Sequence, residues 1–527
     1  MLDRRTLLAT GSALLAAPSV RAIAAPDAKS LVLGMGQEPR HFNGAIQSGT
    51  ATTIPCTQIF ASPLRYDADW HPQPYLAKSW EVASDALSVT LHLVENATFH
   101  DGQPVTSEDV AFTIGIIKVH HPFTTMLAPI DHVDTPDPHT AIIRLKHPHP
   151  ALLLAMSPAL MPILPRHVYG DGQDILTHPA NLKPIGSGPF RFVEYNRGQY
   201  IRLERFDKFF IPNRPALDSL TIRIVTDPTV MVLGLERQEV HIAPLLAGVR
   251  NIDRAQKLPN AMVTDQGYAG IGALNWLAFN CTRKPFDDVR VRQAIAYAAD
   301  RKAITRVLMG GKAAESMSPI VPTSPFYNKD VQPYLLNLDR ANALLDEAGH
   351  KRGADGTRFP MVIDYDPGDP EQGRNVAEFL RPQLRKIGIA AEVRAVPDFP
   401  TWADRVSNFD YDATIDEVFN WGDPVIGVAR TYLSSNIRKG VVWANMQGYR
   451  NPQVDTLLES AASEPDPAKR KALYDQFQKV VVDDAPIHFI NVVPYFTAAN
   501  KGLANLPLTI WGAMSPLDEL RWATPPT

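Results

Sequence analysis

Several stretches of this sequence carry residue types that do chemistry in other settings. His100 stands beside an acid in Phe99-His100-Asp101-Gly102, and histidines are paired in His120-His121 and His147-Pro148-His149. Ser187 lies between two glycines in Gly186-Ser187-Gly188, and Gly34-Met35-Gly36 closes a short apolar strand, Ser30–Gly34. Metal capture, acyl transfer and dinucleotide binding are the chemistries these types suggest. Each fails on spacing. His100 has no second ligand at i+3 or i+4, so it reads as structural. The paired histidines fall on polar, Pro-broken loops and read as solvated. A nucleophile elbow around Ser187 needs glycine at Ile185 and at Pro189. The third glycine of a dinucleotide loop is missing, with Pro39 in its place. No HExxH, Walker loop or nucleophile–base spacing stands elsewhere, so neither an enzyme nor a bound metal or cofactor is expected.

The side chains that remain suit binding rather than turnover. One loop reads Asp364-Tyr365-Asp366-Pro367-Gly368-Asp369 and another Phe419-Asn420-Trp421-Gly422-Asp423-Pro424, with Phe399 and Trp402 between them. Carboxylates beside aromatic rings fit a cationic or polyhydroxylated small molecule. The competing reading makes the acids solvated caps, Trp421 a core ring, and Asp423 the residue that holds the turn before Pro424.

The elements that must position these groups alternate strand and helix. Leu277–Asn280 is a short apolar strand, followed by a Pro turn and a helix that Asp287 or Asp288 can cap. Val291, Ala294, Ile295, Ala298 and Ala299 form one apolar stripe on that helix. Asp300 can cap a second helix ending at Gly310-Gly311. Upstream, Ser88–Val94 alternates as a strand, and Thr106 with Asp109 makes a capping box before Val110–Ile117. Downstream, Pro360–Tyr365, a helix over 375–387 interrupted by Pro382, and Ile389–Val396 form a βαβ unit, hence a parallel sheet. Tyr411–Val418 is a further strand, and ligands bind beyond the carboxyl ends of such strands. Helices are expected over Val454–Ala462 and Pro467–Val482, the second capped by Asp466. Ile487–Val492 is expected to lead the chain back to its first half.

Length and composition bound the class. The 527 residues exceed a single core; 45% are hydrophobic and 20% charged, which is globular rather than disordered. A net charge of −4 argues against nucleic acid as a partner. Arg4-Arg5, an apolar stretch to Val20 and Ala22-Ile23-Ala24 read as an export signal, residues 1–24, of the twin-arginine type. No cysteine follows the cleavage site, so no lipid anchor is expected there and the mature chain should be soluble in the periplasm. The two cysteines, Cys56 and Cys281, read as buried thiols, with one bridge between them as the alternative.

The order of short strings is more specific than any one motif. Asn280, Pro285-Phe286-Asp287-Asp288, Val291-Arg292-Gln293-Ala294 and Asp300-Arg301 resemble the signature of the extracytoplasmic solute-binding proteins of ABC importers, in the peptide and nickel family (family 5). Leu76-Ala77-Lys78-Ser79-Trp80 and Phe99-His100-Asp101-Gly102 with Thr106, Asp109 and Val110 strengthen the resemblance, which covers nearly the whole mature chain. It implies an α/β, two-lobed periplasmic binding protein fold (type II, cluster C) with an extra subdomain in lobe I. Lobe I would comprise 26–62, 186–273 and 488–527, the subdomain 63–185, and lobe II 274–487. It implies a monomer that captures a small ligand by hinge closure and delivers it to ABC permease subunits in the inner membrane. A ligand-binding sensor subunit for a membrane receptor is the other use of such a clamp.

The resemblance also implies the site. The loop around Ser48 and Thr50 would face the ligand from lobe I. Tyr365, Asp366, Phe399, Trp402, Asn420, Trp421 and Asp423 would face it from lobe II. Peptide-binding members place an aspartate where Asn420 stands, and dipeptide-binding members carry an arginine that the loop after Tyr365 lacks. Both charge anchors of a zwitterionic peptide are therefore expected to be absent.

Overall fold

A computed structural model describes residues 29–332, 334–367 and 373–525; the expected export signal, residues 1–24, and Asp369 lie outside the described residues. Two sheets carry the architecture. One has seven strands in the order Ala261–Thr264, Phe496–Asn500, Ile242–Leu246, Ser30–Met35, Ser219–Ile224, Tyr200–Arg205 and Phe190–Asn196. The other has five, in the order Ile389–Arg394, Phe359–Tyr365, Ala413–Phe419, Ala273–Phe279 and Ile487–Val492. A separate four-stranded antiparallel sheet comes from the segment between the first strand and Phe190. This is the mixed α/β, two-lobed architecture. No helix among the described residues is long and apolar enough to cross a membrane.

Ala273–Phe279 shows why the second sheet is stable. It is buried along its whole length, between antiparallel neighbours on both sides. Leu277 and Phe279 enter one core and Leu274, Trp276 and Ala278 the other, so its apolar run is continuous rather than alternating. The stripe Val291, Ala294, Ile295, Ala298 and Ala299 packs into the first of these cores. Burial of Val291 and of Ile295 stabilises the fold by about 1.5–3 kcal/mol each. Asp288, not Asp287, caps the helix by accepting from the Arg290 amide at 2.8 Å, and Asp300 accepts from Ala303 at 2.9 Å. The capping box of Thr106 and Asp109 and the Asp466 cap are both present.

The string Asn280…Arg301 therefore has a structural task. The Asn280 amide donates to the Phe409 and Tyr411 carbonyls at 2.9 and 3.0 Å. Arg292, buried, donates to the carbonyls of Phe286, Asp287, Asp484 and Ala485. His100 is a staple of the same kind. Its Nδ1 accepts from the Gly186 amide at 3.3 Å and its Nε2 meets the Gly188 carbonyl at 3.1 Å. Burial pulls its pKa down to about 4, so it stays neutral. Gly186 must be glycine because a Cβ there would stand 2.0 Å from the Ile59 carbonyl oxygen.

Three expectations change. Ile487–Val492 does not lead the chain into the first sheet; it is the edge strand of the five-stranded sheet, and the return comes after Val492. An apolar strand carries no mark of which sheet it joins, and pairing with Ala273–Phe279 decides it. Thr50 opens a helix, Thr50–Ile59, rather than lying within a loop. Arg374–Lys386 runs through Pro382 as one helix. Pro382 sits on its exposed face. Cys56 and Cys281 are both free thiols, with burial pushing them up to about 12 and about 11.

Candidate functional site

The chain crosses between the two sheets at Gly272-Ala273 and again at Val492-Val493. Gly272 takes a left-handed φ of 55°, which only glycine adopts freely. The loop 419–424 hangs on this crossover. The Asn420 amide donates to the Gly272 carbonyl at 3.1 Å and the Trp421 amide to that of Ile271 at 3.2 Å. Trp421 itself has a φ of 50°, a costly conformation for a bulky residue, and such positions gather at functional sites. Its ring is 2% exposed and packs against Phe419, Phe123 and Trp511 at centroid distances of 5.6, 5.4 and 6.2 Å. Phe123 belongs to the four-stranded-sheet region, and Thr125 beside it donates to the Val425 carbonyl at 3.1 Å. The loop of one lobe is thus seated in the other.

The polar side chains of this loop are already engaged. Asn420 accepts from the Val321 amide at 2.9 Å and donates to the Pro319 carbonyl at 3.1 Å. Asp423 receives Arg470 in a two-pronged pair, both contacts 2.8 Å, and caps the short helix Pro424–Gly427 through the Val425 amide at 3.0 Å. Both members of that pair are buried. Arg470 also donates to the Ala461 carbonyl, so the loop is bolted to the helices Pro452–Ser463 and Pro467–Asp484.

The other expected residues are dispersed. Tyr365 is buried against the core beneath the sheet. Asp366, half-exposed, donates its amide to the Ile415 carbonyl at 3.0 Å. Trp402 is fully buried, its indole donating to the Thr414 hydroxyl at 2.9 Å. Phe399 bridges Trp402 and Trp443 at 5.6 and 5.5 Å. Ser48 and Thr50 sit half-buried at the start of the helix Thr50–Ile59, on the seven-stranded-sheet side.

Asp366 acts on a residue that sequence reading missed. Asp416 lies inside the strand Ala413–Phe419, 2% exposed, and neither carboxylate oxygen closes a hydrogen bond. Burial pushes its pKa well above the usual carboxylate range, and Asp366 adds to the rise; the Trp443 indole N–H opposes it. Arg430 stands nearby, pulled down to about 10 by desolvation against the attraction of Asp416, and its guanidinium lies over the Phe123 ring at 5.1 Å. The available signal was two adjacent acids, Asp416 and Glu417, in an otherwise apolar strand. Among the described residues no group of three His, Cys, Asp or Glu is placed to hold a metal ion.

Residues 71–440 match the model of the bacterial extracellular solute-binding proteins, family 5, middle region. The chain belongs to this family. The family's ligand capture for ABC import is therefore the setting of the crossover and its loop. Among relatives, heme-binding protein A of Haemophilus influenzae is 29% identical over 443 residues, 79% of this chain and 78% of its own. The oligopeptide-binding protein AppA of Bacillus subtilis is 27% identical over 481 residues, 87% and 85% of the two chains. The solved structure of NikZ from Campylobacter jejuni with Ni(L-His) superposes with a TM-score of 0.81 at 24% identity, covering 94% of this chain and 97% of that one. Heme, oligopeptide and nickel–histidine share one clamp, so membership fixes the clamp and not the guest.

Proposed function

We propose that the chain captures a small polar solute between its two lobes in the periplasm and passes it, as a monomer, to inner-membrane ABC permease subunits. The lobes are drawn at the crossover: lobe I and its subdomain hold the seven- and four-stranded sheets, lobe II the five-stranded sheet including Ile487–Val492. Capture requires the ligand to favour the closed state by touching both lobes. The seating of Trp421 between Phe123 and Trp511 supports this reading, because it gives the two lobes a defined closed contact.

The guest is not a zwitterionic peptide held at its termini. Asn420 and Asp423 are spent on Pro319, Val321 and Arg470, so this loop presents no carboxylate to an amino group. Arg394, the arginine nearest the strand end before Tyr365, is held by Asp364 at 2.6 and 2.7 Å. Titration calorimetry of the mature chain with Ala-Ala and Gly-Leu should show no binding. Dipeptide affinity of micromolar or better, on the order of −8 kcal/mol, would overturn the reading of the guest. X-ray scattering of the chain saturated with its solute should show compaction; an unchanged curve at saturation would sink capture by closure.

A further inference from the structure

Resting on that reading of a non-peptide solute, we infer that Asp416, Trp276 and Trp443 form a lobe II subsite for the hydroxyls of a polyhydroxylated guest. Asp416 and Trp276 are directly paired across neighbouring antiparallel strands and so lie on one face of the sheet, within side-chain reach of each other. Both are at least 97% buried by exposures of 2% and 3%, and the Trp276 indole nitrogen, like both Asp416 oxygens, has no hydrogen-bond partner. Trp443 approaches Asp416 from the segment above the sheet, its indole N–H directed at the carboxyl without closing a hydrogen bond of good geometry. It holds a φ of 57°, in the left-handed region like Trp421. Buried polar groups are normally satisfied, and such an orphan is costly unless a partner arrives.

The chemistry of the orphans selects the partner. Indole N–H groups only donate, while the Asp416 carboxyl accepts, and also donates when it holds its proton. A guest that matches both must give and take hydrogen bonds at short spacing, as neighbouring hydroxyls do. An ammonium would satisfy Asp416 but leave both indoles unmatched. It would also meet Arg430, whose Nε and Nη1 are fixed on the Gly427 and Trp443 carbonyls at 3.1 and 3.0 Å. Water has the same hydrogen-bonding pattern, and the test separates the two.

The experiment is calorimetry of the mature chain with mannitol, glucose, maltose, Ala-Ala and putrescine, repeated on Asp416→Asn and Trp443→Phe. At least one polyhydroxylated compound should bind the parent at micromolar Kd, and the diamine and dipeptide should not. Each variant should weaken that binding at least tenfold while still unfolding in one cooperative transition, no lower than the parent's for Asp416→Asn. Absence of polyhydroxylated binding in the parent overturns the inference, as does equal affinity in the variants, which would leave only ordered water at Asp416. If Asp416→Asn does not fold, the half-buried Trp443→Phe decides alone. Binding of putrescine or Ala-Ala untouched by the variants would end this inference and leave capture standing, whereas failure of compaction in scattering would end capture itself.

Discussion

Asp423 and Asp416 stand on one continuous stretch of chain, both 2–4% exposed, and they are opposites. Asp423 follows the strand, receives Arg470 at two oxygens and caps a helix. Asp416, inside the strand, closes no hydrogen bond. The first has the partners of a structural bolt. The second has the isolation that a folded protein tolerates where something else is meant to bind. The residue in the conspicuous loop is thus the framework, and the inconspicuous strand residue is the candidate for recognition.

The comparison is broken most decisively by truncation. Asp423→Ala leaves Arg470 buried and unpaired, and removal of one partner of such a pair costs about 3–5 kcal/mol. Chemical unfolding should show that loss in the midpoint. A cost under about 1 kcal/mol would mean that the pair is not the bolt described here.

Asn420→Asp should cost about 1–3 kcal/mol, because a carboxylate oxygen would replace the donor that now faces the Pro319 carbonyl. Thermal unfolding checks this. A variant of unchanged midpoint that gains dipeptide binding would restore Asn420 as a ligand contact.

Asp416→Asn should differ in sign. The folded-state pKa of Asp416 is raised above the ordinary 3.8, so the native state holds a proton that the unfolded chain releases. Parent stability from this group is present below that value and lost as pH rises through it, by up to about 1.4 kcal/mol per pH unit. The variant carries no such proton and should gain on the parent from pH 4 to pH 7 in unfolding midpoints. A difference that is flat with pH would show that Asp416 is ionised and paired after all.

Much of the fold was legible before any coordinates. The stripe Val291–Ala299, the caps at Asp300, Thr106 and Asp466, and the strands Ala413–Phe419 and Phe359–Tyr365 follow from local periodicity and short-range hydrogen bonding. His100 could be read as structural by spacing alone, and its contacts with Gly186 and Gly188 agree. The site was less legible. Trp402 and Trp421 are equally aromatic in sequence. One is a core ring bonded to Thr414 and the other a seat between lobes, and only the packing distinguishes them.

What the sequence determined by itself is therefore the set of elements, their caps and the family string, because those depend on residues within a turn or two of one another. Tertiary structure alone decided which polar groups were spent. Pro319, Val321 and Arg470 reach Asn420 and Asp423 from segments far along the chain. It also decided that Ile487–Val492 pairs with Ala273–Phe279 and that the Asp416 carboxyl closes no hydrogen bond of good geometry. Hydrogen-bond satisfaction in a buried site is a property of neighbours brought together by folding, and local sequence carries no record of it.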